Sequence, residues 1–183
     1  MPTHVALLRG INLGPHKRVA MPALRALVTS LGHTDVATYI ASGNLVFTAG
    51  EAAPAPRLEK AIADELGVEC RVVVLTCAEL ARAVADNPYP DEPDPKRVHA
   101  FFLTDKAGPA AKDHVTAAQE RAAAKGSRDE AAIVGRVLYL HTPDGFGRSE
   151  LAAELSKGGK RNPAEGTARN WATVTKLLAM CEE

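Results

Sequence analysis

Asp86-Asn87-Pro88-Tyr89-Pro90-Asp91-Glu92-Pro93-Asp94-Pro95-Lys96 lies near the middle of the 183-residue chain and divides it. Four prolines and four acids in eleven residues neither continue a helix nor enter a central strand. The stretch reads as a stiff, solvated connection, and the sequence on its two sides follows the same order of elements.

Before it, Val5 to Arg9 is a short apolar strand. Met21, Leu24, Leu27, Val28 and Leu31 recur at helical spacing, and Gly32 stops the helix. Val36 to Ile40 and Leu45 to Thr48 read as strands joined across Ser42-Gly43-Asn44. Leu58, Ile62 and Leu66 mark a second helix closed by Gly67, and Cys70 to Leu75 is a further strand. The order is β-α-β-β-α-β, the ferredoxin-like pattern, with an extra helix from Ala78 to Ala85 leading into the proline-rich stretch.

After it, Val98 to Leu103 is a strand, and an alanine-rich helix from Ala110 to Ala124 ends before Gly126. Ala132 to Val134 and Val137 to Leu140 pair across Gly135-Arg136, and Ser149 caps a helix containing Leu151 and Leu155. The hairpins Ile40 to Phe47 and Ala132 to Tyr139 align on their glycines. The expected fold is α+β with two ferredoxin-like units, duplicated, and a C-terminal helix. Residues 1–86 form the first unit, 87–97 the acidic linker, and 98–183 the second unit with the final helix.

Equal numbers of basic and acidic residues, 22 each, exclude a generally basic nucleic-acid tail and an acidic disordered chain. Hydrophobic residues make up 46%, but 33 of them are alanine, which favours helix over a large core. No run is long and apolar enough to span a membrane, and the start reads as a strand, not a leader, so a cytoplasmic protein is expected. Cys70, Cys77 and Cys181 are odd in number without a CxxC pair and read as reduced thiols. The six histidines are scattered singly, so neither metal nor cofactor is expected.

Charge is uneven beneath the neutral total. Residues 1–50 carry a net +3 and residues 51–95 a net −6, so local fields select the partner. Arg9-Gly10-Ile11-Asn12-Leu13-Gly14-Pro15-His16-Lys17-Arg18 joins turn-forming glycines to positive charge ahead of a helix, which suits phosphate or carboxylate. Asp144-Gly145-Phe146-Gly147-Arg148-Ser149-Glu150 feeds a second helix start. In Gly166-Thr167-Ala168-Arg169-Asn170-Trp171-Ala172-Thr173-Val174-Thr175-Lys176, Thr167 reads as the N-cap of the last helix. Arg169 then falls in the first turn, where the helix dipole disfavours a cation, and that broken rule marks it as a site residue. Arg169, Thr173 and Lys176 would share a polar stripe, and Trp171, Val174, Leu178 and Cys181 an apolar one.

Leu7-Leu8-Arg9-Gly10-Ile11-Asn12-Leu13-Gly14, Tyr39 to Phe47, Gly147-Arg148-Ser149 and Thr167 to Val174, in that order, give the chain its resemblance to the bacterial family called domain of unknown function 1697. The resemblance runs almost end to end and implies a compact α+β structure of two ferredoxin-like halves; it implies no reaction. This chain has Pro15-His16 where family members often carry Gly-Gly, and Ala172 where they commonly place Asn.

The leading expectation is a binding protein in which Arg9, Asn12, Lys17, Ser42, Asn44, Arg148, Ser149, Arg169, Asn170, Trp171 and Lys176 surround a basic cleft. Its partner would be an anion: a nucleotide, a phosphorylated metabolite or single-stranded RNA. With aromatics at 4% and no RNP-type strand, stacking of RNA on a sheet face has little to work with. One alternative is an enzyme using the same cleft. His16 is its best lone acid–base group, without a GxSxG, an HExxH or clustered carboxylates to assist. Another is an interaction module that forms a homodimer through paired sheet edges.

Overall fold

The apolar run near the N-terminus becomes strand β1 (His4–Leu8), whose last four residues are buried. Around it the computed structural model, which describes residues 1–183, builds α1 (Met21–Ser30), β2 (Thr34–Tyr39), β3 (Asn44–Thr48), α2 (Ala55–Leu66) and β4 (Val72–Thr76). The strands form an antiparallel sheet in the order β2-β3-β1-β4, with Val5 opposite both Val46 and Leu75. Helical spacing places Leu24, Leu27 and Val28 of α1 and Leu58 and Ile62 of α2 on one side of their helices. They join Ala6, Leu8, Leu45 and Phe47 in one core, where each large side chain contributes about 1.5–3 kcal/mol by leaving water. The alternate residues Val5, Leu7, Val73 and Leu75 face the other side of the sheet and are buried as well. Val46 there lines a small cavity with Met180, from the end of α6 (Trp171–Cys181).

The chain divides into two compact units, residues 1–82 with 175–183 and residues 83–174. Within the first, Cys77 opens α3 (Cys77–Ala85) and is joined to Cys181 in a disulfide, with Cα atoms 5.9 Å apart. Only Cys70 is a free thiol, which corrects the expectation of three. Sequence spacing cannot signal this pair, because 104 residues separate the two cysteines and tertiary placement alone brings them together.

The second unit repeats the plan with β5 (Val98–Leu103), α4 (Pro109–Ala124), β6 (Glu130–Val134), β7 (Val137–His141), α5 (Glu150–Leu155) and β8 (Gly166–Asn170). Its antiparallel order, β6-β7-β5-β8, corresponds position by position to that of the first. Two ferredoxin-like arrangements are therefore present, followed by a C-terminal helix. Ala111, Val115, Ala118 and Ala122 give α4 a narrow apolar side that packs on Leu103, Leu138, Leu140 and Leu151. Glu154 of α5 is almost fully buried, yet it accepts from Lys157 at 2.7 Å, Arg121 at 2.6 Å and Lys125 at 2.9 Å. Those hydrogen bonds pull its carboxyl down to about 2.

Strand β8 overturns the reading of the final segment as helix from Thr167 onward. Thr167 and Arg169 are strand residues opposite Phe102 and Ala100 of β5, and the helix begins at Trp171. Asn170 is the true cap, its Oδ1 accepting the Thr173 N–H at 2.9 Å. Arg169 therefore breaks no helix-dipole rule and shares no stripe with Thr173 and Lys176. The acidic stretch is less solvated than its composition suggests. Tyr89 stacks on His141 at 5.1 Å, and Glu92 pairs with the same imidazole at 2.7 Å.

Candidate functional site

The residues expected to surround one cleft fall into both units. In the first, the loop after β1 and the β2–β3 turn are held together by Asn12, whose backbone has φ 54°. Its amide donates to Val19 O at 2.9 Å and Ala41 O at 2.7 Å, and its Oδ1 accepts the Val19 N–H at 2.8 Å. Asn44, fully buried, donates to Tyr39 O at 3.0 Å and Ser42 Oγ at 2.9 Å. Gly43 lies so close to β1 that an added Cβ would stand 2.7 Å from Leu8 Cβ. The polar atoms of Asn12 and Asn44 thus close the turn. Arg9, Lys17 and Arg18 are exposed, as are Leu13 and Ile40, the latter at φ 48°, a conformation rare for a β-branched residue. Lys176 belongs to this unit and pairs with Glu183 at 3.8 Å.

In the second unit Ser149 is structural. It donates to Asp129 Oδ2 at 2.8 Å and caps α5 by accepting the Ala152 N–H at 2.9 Å. Arg148 is exposed at the end of a 3-10 turn spanning Phe146–Arg148. The pleat of β8 sends Arg169 and Asn170 to opposite sides of the sheet. Arg169 lies on the side of Ala100, Phe102 and Tyr139, where burial pulls its guanidinium down to about 10. Trp171 is half-buried with its ring 6.2 Å from that of Tyr139, whose hydroxyl donates to Ala83 O at 2.5 Å.

Asn170, on the helix-bearing side opposite His99, lines an open groove of about 690 Å³. Its walls are the 3-10 turn and strand start Asp94–His99 and the loop Pro143–Phe146. Thr142 N–H donates to Arg97 O at 2.8 Å and ties the two walls together. Asp94 caps the turn by accepting the Lys96 N–H at 2.9 Å and stands 3.6 Å from the Arg97 guanidinium. At the base, the His99 imidazole stacks on Phe146 with centroids 4.0 Å apart and planes 23° from parallel. Its Nδ1 is buried without a hydrogen-bond partner, and burial pushes the ring down to about 4, so it is neutral at pH 7.

Two cations, Lys96 and Arg97, and two carboxylates, Asp94 and Asp144, line the groove. Asp144 is held below its usual range first by its hydrogen bond from Arg128 and then by the charges of Arg128, Arg97 and Arg148. Lys96 makes no ion pair, and Arg148, exposed two residues beyond the lining Phe146, acts on Asp144 through its charge without an ion-pair contact. The stacked His99 and Phe146 rings and the side chain of Lys96 line the same groove. Of the residues that line the groove, the sequence reading named Asn170 and passed over Lys96, Arg97, His99 and Phe146. The available signal was an aromatic residue between two glycines, at Gly145-Phe146-Gly147, where a turn needs none.

Fold and groove together define a pair of ferredoxin-like units, the second bearing an open groove lined by charges of both signs. The chain belongs to the family described as "Protein of unknown function (DUF1697)", whose model matches residues 1–139. Among solved structures it is similar to the conserved bacterial protein SP0830 from Streptococcus pneumoniae, at 22% identity and a TM-score of 0.70, over 98% of each chain. That likeness extends the shared fold through the residues beyond the family match. No protein of curated function matches the chain. No helix is long and apolar enough to cross a membrane.

Proposed function

We propose that the protein binds a small anionic ligand in the groove of the second unit, with Lys96 and the neighbouring Arg148 supplying the charge. The observation that carries this reading is Lys96, a cation without an ion-pair partner, on a preformed groove whose size falls in the usual range for small-molecule sites, with the exposed Arg148 two residues beyond the lining Phe146. Ordinary surface lysines and arginines are scattered among acids. Here Arg128 already neutralises Asp144 and Arg97 neutralises Asp94, which leaves Lys96 and Arg148 in excess. An incoming phosphate would meet charge-assisted donors without displacing an ion pair. His99 stays neutral at pH 7 and contributes shape and ring surface without charge.

Isothermal titration with inorganic pyrophosphate at low ionic strength tests the reading. The wild type should bind saturably, and K96A combined with R148A should weaken binding by roughly ten- to a hundredfold, the range for losing charged hydrogen bonds. Unchanged affinity in that double variant would place the site elsewhere.

A further inference from the structure

We propose that the groove's ligand carries a planar ring with a carbonyl group beside its anionic group, as a pyrimidine nucleotide does, and that the ring stacks on Phe146 while Asn170 reads the carbonyl. This rests on the anion reading above and specifies the rest of the ligand.

Phe146 is one of five large hydrophobic residues left exposed, at 39%, and it is the aromatic one among them. Leaving that surface in water is unfavourable, and nothing in the 3-10 turn requires it. Gly145 and Gly147 on either side provide no side chain to shield the ring. His99 backs it at 4.0 Å and fixes its plane, a preorganised stacking platform rather than a mobile surface residue. Stacking on such a platform is available to any flat π-system and absent for a sugar phosphate without a base.

Asn170 adds direction. The Thr173 N–H needs an acceptor, so the oxygen of the Asn170 side chain must face the helix. The Nδ2 amide is then left as the donor on the groove side, with no partner in the chain. A donor there selects a ring oxygen over a ring amino group. Lys96, the stacking surface and the directional donor all line the same groove.

Titrations of uridine 5′-monophosphate, cytidine 5′-monophosphate, ribose 5-phosphate and inorganic pyrophosphate, against the wild type, F146L and N170D, test this. The uridine nucleotide should bind about tenfold or more tighter than ribose 5-phosphate, and F146L should abolish that margin while leaving pyrophosphate affinity unchanged. N170D keeps a capping oxygen and replaces the donor, so it should erase the preference for uridine over cytidine nucleotide without lowering the melting temperature. Equal binding of the uridine nucleotide and ribose 5-phosphate by the wild type would overturn the ring assignment and leave the anion site standing. No binding of pyrophosphate or of any phosphate would overturn both. If F146L weakened all four probes alike, Phe146 would be a packing residue and the stacking assignment would be wrong.

Discussion

The two hairpin turns occupy the same place in the two units and are built for opposite purposes. In the first, four residues separate the paired Tyr39 and Asn44, and the turn is packed beneath β1 and bonded to the loop that carries Asn12. In the second, two residues separate the paired Val134 and Val137; Arg136 ties the turn to the end of β5, donating to Leu103 O at 2.6 Å, while the space around Gly135 is open. Gly43 and Gly135 align in sequence and both have positive φ, at 85° and 61°. Only Gly43 has side chains within contact of the missing Cβ; around Gly135 there is nothing within 4 Å. The same residue type thus permits a close approach in one unit and a tight reversal in the other. The first unit spends its polar atoms on closing a loop. The second keeps cations and an aromatic ring unspent at a groove.

The sharpest way to break this contrast is through the covalent link that the first unit has and the second lacks. Reducing the disulfide between Cys77 and Cys181, or making C181A, should cost about 2–4 kcal/mol in denaturant melts, and thiol titration should count one free cysteine before reduction and three after. G43A should lose about 2–4 kcal/mol, because the added methyl meets Leu8 and Ile11 at a left-handed backbone position. G135A should lose only about 1 kcal/mol, the conformational cost without the collision. Equal losses in these two variants would erase the distinction between the turns.

The groove has its own signature in pH. The folded His99 ring takes a proton only near pH 4, whereas the unfolded ring does so near 6.5, so between these values the unfolded state holds more protons. Stability should therefore fall as pH drops through that window, by about 1–2 kcal/mol after allowing for the solvent that reaches the ring. H99N should flatten the slope measured by denaturant midpoints across it. An unchanged slope would assign the effect to other groups, among them Glu154, which titrates lower.

Much of the scaffold is legible in the sequence because local chemistry and global fold agree there. The stripes of α1 and α2, the glycines of both hairpins and the Ser149 cap each announce their element. Strand β8 is not legible for the opposite reason. Gly166-Thr167-Ala168-Arg169-Asn170 has little strand propensity, and its extended form is imposed by the ladder with β5. That one error placed Arg169 on a helix and beside Lys176. The groove was hidden by distance along the chain. His99 and Phe146 lie 4.0 Å apart only because β5 and the loop after β7 close on each other, and nothing in either local sequence announces the meeting.

The central claim is that the second unit holds the anion site. Amide chemical shifts recorded during titration with inorganic pyrophosphate at low salt test it most directly. Saturable shifts confined to residues 94–99, 143–148 and 170 are expected. Shifts centred on the exposed cations Arg9, Lys17 and Arg18 of the first unit, with the groove amides still, would contradict it.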